Sequence, residues 1–207
     1  ANFQKGFANI SVPSVLATLV SDKLDFPNLS MVGVDDRAAA YQAVSYLIQQ
    51  GHRKIAVLGG PATSYPSMMR RQGAQQAMED AGIRFEDKLY GLSNYDFESA
   101  YHAMNGLLAR RAEFTALFAM SDVIAFGAIR ALVSAGLRVP EDVSVIGFDG
   151  ITMSRYCVPV MTTIVQPSEQ IALQSIELLV RQIEHGTPAQ TVTLQPELQQ
   201  GESVRAI

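Results

Sequence analysis

The chain has 207 residues, 48% hydrophobic and 17% charged, enough to bury a sizeable core in one domain or in two small lobes. A formal net charge of −4 argues against this segment gripping a phosphate backbone itself, and no apolar run approaches the length of a membrane span. The one cysteine, Cys157, excludes an internal disulfide and fits a reducing compartment. The opening ANFQKGFANIS lacks the charged start and apolar centre of an export signal, and a first residue other than methionine predicts trimming.

In chain order, Val12 to Thr18 is an apolar run with Pro13 near its start, a position strands tolerate. A polar connector holding Pro27 leads to the strand Ser30 to Val34, which ends at Asp35-Asp36. The next helix places Ala40, Val44, Leu47 and Ile48 on one face and stops at Gly51. The strand Ile55 to Leu58 is broken by Gly59-Gly60-Pro61, a plain turn rather than a phosphate loop because no Gly-Lys-Ser/Thr follows. A helix from about Ser67 to Ala81 carries Arg70 and Arg71, which point about 100° apart, so at most one of them faces a crevice. After the weak strand Lys88 to Leu92 come Tyr95, just past the strand end, and a helix with Ala100, Ala103, Met104 and Leu107 on its core face.

The stretch from Thr115 to Gly150 holds a complete strand, helix, strand unit. Ala116 to Ala119 is a short apolar strand of the kind parallel sheets bury on both faces, and either Ser121 or Asp122 caps the helix that follows. That helix packs through Ile124, Ala128, Ala131, Leu132 and Ala135 and ends at Gly136; Val143, Val145, Ile146 and Phe148 form the second strand, running into Asp149-Gly150. Strands and helices alternate along the whole chain, so the fold class is α/β with doubly wound parallel sheets. In such sheets the side chains just beyond the C-terminal strand ends line the ligand crevice, the position of Ser121 and Asp149. As bare residues they serve equally well as a helix cap and a turn closure.

Beyond Gly150, Thr163 to Val165 is a strand followed by Gln166. The helix from about Ser168 to His185 has Ala172, Ile176, Leu179 and Ile183 as its expected buried stripe, with His185 placed structurally against the C-terminal dipole. Thr191 to Leu194 is a final strand. His52, His102 and His185 lie far apart and none has metal-ligand spacing with Cys157, no Gly-x-Ser-x-Gly elbow occurs, and no catalytic constellation is visible. No metal, cofactor or enzymatic activity is therefore expected.

The run AMSDVIAFGAIRALVSAGLRVPEDVSVIGFDG resembles the signature of the LacI/GalR family of bacterial transcription repressors, in its Asp-x-x-Ala-x-Gly helix start, Gly-x-x-Val-Pro-x-Asp turn and Val-Ile-Gly-Phe-Asp strand. VPSVLATL, MVGVDDRAAAYQAVSYLIQQGHRKIAVLGGP and ITMSRYCVPVMTTIVQP extend the resemblance over nearly the whole chain, with Asp36 where the family more often has asparagine and Gly201 where it usually has arginine. The resemblance implies a two-lobed, periplasmic-binding-protein-like fold. Residues 1–35 plus 166–187 would form an incomplete N-terminal lobe and 36–165 plus 188–207 the C-terminal lobe, with crossings near Asp35, Asp36, Pro167 and Pro188 and the DNA-binding domain absent from this chain. It implies effector contacts by Arg70 of the Arg-x-x-Gly motif, Tyr95, Ser121, Asp149 and Gln166, with Asp122 as a cap beneath them. A planar guanidinium fork, an aromatic face, a carboxylate and an amide suit hydroxyls, so a sugar is expected ahead of a nucleoside or purine. The implied whole is a cytoplasmic homodimer that binds operator DNA through the missing domain. The alternative is a sugar-binding protein of periplasmic transport on the same fold.

Overall fold

The structure, a computed structural model, describes residues 11–207, so all but the last residue of the opening ANFQKGFANIS lies outside the described residues. The chain divides into two compact units: Ala1–Asp35 with Gln166–Pro196, and Asp36–Val165 with Glu197–Ile207.

In the first unit, β1 (Ser14–Ala17), β2 (Leu29–Val34) and β8 (Thr191–Leu194) form a parallel sheet in the order β1-β2-β8. The helix α5 (Ser168–His185) packs Ile171 and Leu178 against Val32, with Val15, Val192 and Leu194 beside them. On a second cluster Leu24, Leu29 and Met31 pack with Leu16, Leu19 and Phe26. Buried Ser30 donates to the side chain of Gln182 at 3.0 Å, which explains why a polar residue sits on the covered face of α5.

Two sequence expectations are corrected here. The buried stripe of α5 is Ile171, Leu178 and Gln182 rather than Ala172, Ile176, Leu179 and Ile183; Ile176 and Ile183 are more than half exposed. The helix carries two apolar faces, and periodicity alone does not say which one the sheet takes. The last crossing falls between Pro196 and Glu197, not near Pro188, because β8 pairs in register with β2 and so belongs to the first unit.

The second unit is a six-stranded sheet in the order β4-β3-β5-β6-β7-β9, parallel except for β9. Its strands are β3 (Ile55–Gly59), β4 (Tyr90–Leu92), β5 (Ala116–Ala119), β6 (Ser144–Asp149), β7 (Thr162–Val165) and β9 (Glu197–Gln199). Every residue of β3 and β5 is buried, as a parallel sheet covered on both faces requires. Its helices are α1 (Asp36–Gln49), α2 (Tyr65–Asp80), α3 (Phe97–Ala109) and α4 (Asp122–Ser134). Ser64 caps α2 and Asp96 caps α3, each accepting from a backbone N–H three residues on. His52, buried, accepts from the Thr115 hydroxyl through Nδ1 in the tautomer that lets Nε2 donate to the Arg205 carbonyl, fixing the C-terminal tail to this unit.

Helices α1 and α2 meet at Gly73. A Cβ built there would lie 2.0 Å from the Arg37 carbonyl oxygen and 3.0 Å from the Tyr41 nitrogen, backbone atoms that cannot turn aside. Gly73 lies three residues after Arg70 and so on the same face of α2, which is why a close approach at the glycine delivers the arginine to the start of α1. Replacing Gly73 with alanine gains about 1 kcal/mol of helix propensity but forces the helices apart. The expected outcome, read by urea unfolding, is a net loss of about 1–3 kcal/mol. Unchanged or raised stability would show that the helices do not depend on this contact.

Candidate functional site

Strands β3, β4, β5 and β6 run parallel, so Gly59, Leu92, Ala119 and Asp149 end at one edge of the sheet. The chain leaves β3 for β4 on one side and then enters β5 on the other, a reversal of strand order that opens a crevice between the connections. Three of the residues expected to bind a ligand converge on this edge.

Arg70 projects from the second turn of α2 and is 6% exposed. Its Nε donates to Asp36 Oδ1 at 2.7 Å, its Nη1 donates to the Met120 carbonyl and stands 3.6 Å from Asp149 Oδ1, and its guanidinium carbon lies 3.6 Å from the centre of the Phe148 ring. The planar cation is thus held on an aromatic face and at its edge by two carboxylates and a carbonyl. Asp36 is the first residue of α1, where the helix dipole favours its charge, and is itself 4% exposed.

Asp149 ends β6 with φ +113°, outside the usual range of a residue with a side chain, and its carboxylate retains about a quarter of its exposure. What holds it there is the carboxylate of Asp122. Asp122 Oδ2 accepts from the Ile151 N–H at 2.9 Å and Oδ1 accepts from the Thr163 hydroxyl at 2.6 Å, so one buried side chain ties the turn after β6 to β7. Gly147 makes room, since a Cβ there would meet Asp122 Oδ1 at 2.2 Å. Burial drives the Asp122 pKa up to about 6, with the Asp149 charge adding to the rise and the hydrogen bonds from Thr163 and Ile151 opposing it.

The helix cap is Ser121, whose hydroxyl oxygen accepts from the Ile124 N–H at 3.1 Å. Asp122 is therefore the first helical residue and a cross-strand anchor rather than the cap, a distinction the adjacent pair Ser-Asp leaves open in sequence. Ser121 keeps its hydroxyl proton for a further partner. Tyr95 follows β4 with φ +61° and lays its ring against Gly60, where a Cβ would fall 2.1 Å from Cε2. Its hydroxyl oxygen is shielded from solvent and has no hydrogen-bond partner among the described residues. Ser67 links the two halves of the edge: its hydroxyl donates to the Gly60 carbonyl at 3.1 Å, one turn before Arg70. Gln166 is in the first unit, where its carbonyl accepts from Ser168 at 2.8 Å, and Pro167 precedes α5 without capping it through a side chain. Read from the sequence, Gly60, Phe148 and Thr163 have places in a turn and two strands but no role at the site, and Gly147 has none beyond its place in the Val-Ile-Gly-Phe-Asp strand. A glycine inside the strand Val-Ile-Gly-Phe was a legible sign of close approach, here by Asp122.

Residues 44–204 match the family described as a periplasmic binding protein-like domain. The chain belongs to that family, in the form that serves as the effector-binding domain of LacI-type transcriptional regulators. It is 36% identical over 201 residues to the HTH-type transcriptional regulator MalR of Clostridium butyricum, covering 97% of this chain and 60% of MalR. It is 37% identical over 172 residues to the HTH-type transcriptional repressor CytR of Escherichia coli (strain K12), covering 83% of this chain and 50% of CytR. Among solved structures, the complex of the transcriptional regulator CelR with cellobiose matches with a TM-score of 0.84 at 30% identity, over 98% of this chain and 69% of that one. The chain thus spans 50–60% of the length of these two curated relatives. Among the described residues no helix is long and apolar enough to cross a membrane.

The raised pKa of Asp122 fixes the sign of a pH effect. Between about pH 4 and pH 6 the folded state holds a proton that the unfolded chain has released. Stability is therefore highest below the unfolded value near 3.8 and falls as pH rises through about 6. The Asp122→Asn variant keeps an acceptor for Ile151 and offers a donor to Thr163, without the titration. Relative to it, the wild type is expected to lose about 2.4 kcal/mol in urea unfolding between pH 4 and pH 7. Parallel pH profiles for the two proteins would show that the carboxyl is not held against its charge.

Proposed function

We propose that this chain is the effector-binding part of a LacI-type repressor whose operator DNA is bound by a domain outside it, that it works as a cytoplasmic homodimer, and that its effector is a sugar. Arg70, Tyr95, Ser121 and Asp149 are the proposed contacts, all within the second unit. The observation that carries the reading is the convergence of Arg70, Ser121 and Asp149 on one edge of the parallel sheet, at the reversal of strand order. Hydroxyl recognition suits the set: Asp149 accepts, the Ser121 hydroxyl donates, and the Tyr95 ring offers a face to C–H groups with an unsatisfied hydroxyl at its rim. The cellobiose carried by the CelR complex supports a sugar over a nucleoside, and the regulators among the sequence relatives favour this reading over transport. Whatever the effector, it acts on DNA affinity only to the extent that it binds two arrangements of the protein unequally.

Calorimetric titration of this chain with neutral mono- and disaccharides and with nucleosides tests the assignment. A sugar is expected to bind, and Asp149→Ala to weaken it by about tenfold to a hundredfold, the value of a hydrogen bond to a charged acceptor. Binding of a nucleoside and no sugar would overturn the ligand class; unchanged affinity in the variant would remove Asp149 from the site.

A further inference from the structure

The proposed site has an electrostatic property that a list of hydrogen-bonding groups hides. Arg70 is the one buried arginine or lysine among the described residues, and three carboxylates, those of Asp36, Asp149 and Asp122, surround this end of the sheet. A lone guanidinium in such a crevice would attract carboxylates and phosphates, with which it pairs two-pronged. Here two of its five N–H groups are already committed. Asp36 takes Nε at 2.7 Å, the Met120 carbonyl takes Nη1, and Phe148 covers one face at 3.6 Å.

An anion pairing two-pronged with the Nε edge of Arg70 would have to draw that nitrogen from Asp36, whose side chain is 3% exposed and would lose its closest cation. The same anion would approach Asp149, a carboxylate 3.6 Å from Nη1 and open to the crevice. A neutral hydroxyl meets neither obstacle. It donates to Asp149 and accepts from Arg70 while the ion pair stays intact.

Resting on the sugar-effector reading, we propose that Asp36 is a charge-selecting residue: by neutralising Arg70 it confines the site to uncharged polyhydroxy ligands and shuts out their phosphorylated and carboxylated counterparts. Asp36 touches no ligand in this scheme. It acts through the guanidinium.

The test is a calorimetric comparison of glucose, ribose and cellobiose with glucose 6-phosphate, ribose 5-phosphate and glucuronate, on the wild type and on Asp36→Asn, with inorganic phosphate as a separate probe. For the wild type, a neutral sugar is expected to bind at least about a hundredfold more tightly than its anionic counterpart. Asp36→Asn, which keeps an oxygen for Nε, is expected to narrow that ratio by about tenfold or more and to gain a measurable response to phosphate. A merely structural role for Asp36 would weaken all ligands alike and leave the ratio unmoved. A wild type that takes glucose 6-phosphate as tightly as glucose overturns the proposal, as does an Asp36→Asn ratio and phosphate response equal to wild type. If no sugar binds but the variant gains phosphate, the sugar reading falls and the charge selection stands. Should Asp36→Asn not fold, Asp36→Ser and the wild-type ratio carry the same decision.

Discussion

The buried ion pair between Asp36 and Arg70 is the constraint on which the second unit's open edge is built. It joins the first residue of α1 to the second turn of α2, and it exists because Gly73 lets those helices close to backbone contact. A charge pair this deep is costly to desolvate, and a well-packed apolar pair of the same shape is often no less stable. Its presence therefore says more about what the edge must present than about how the fold is held together. The fold has other means: fully buried strands β3 and β5, capped helices, and a C-terminal tail pinned through His52.

Around that pair the remaining groups take positions that follow from one another. Arg70 lies on Phe148, so its height above the sheet is set by the last apolar residue of β6. Asp149 comes next in the chain and turns back toward the guanidinium only by adopting a left-handed backbone. Asp122 makes that turn tolerable by gripping Ile151 and Thr163, at the cost of a carboxyl that resists ionisation. Three carboxylates thus do three different jobs. One neutralises the cation, one faces outward, and one anchors the turn.

Much of this was legible in the residues alone. The strand, helix, strand unit from Ala116 to Phe148 and the helix from Ser168 to His185 follow from apolar spacing bounded by Ser, Asp, Gly and Pro, signals that act locally. Ser121 and Asp149 were legible as strand-end groups, while Arg70 was selected over Arg71 only by the resemblance to a known family. The partners were not, because they are set by long-range packing: Asp36 and Arg70 are 34 residues apart, Asp122 and Thr163 are 41 apart. The failure at α5 has the same origin. Leu173, Ile176, Val180 and Ile183 make as good a stripe as Ile171 and Leu178, and only the register of β1, β2 and β8 decides which one is covered.

A double-mutant cycle between Asp36 and Arg70 is the most direct measurement. Asp36→Ala, Arg70→Met and the double variant are unfolded in urea near pH 7. Asp36→Ala takes from buried Arg70 its closest carboxylate and Arg70→Met takes from buried Asp36 its cation, so the losses should not add: removing the second residue should restore about 2 kcal/mol or more of what the first removed. A coupling below about 0.5 kcal/mol would mean that the two side chains do not depend on each other, and the neutralised cation at the centre of the site would not exist.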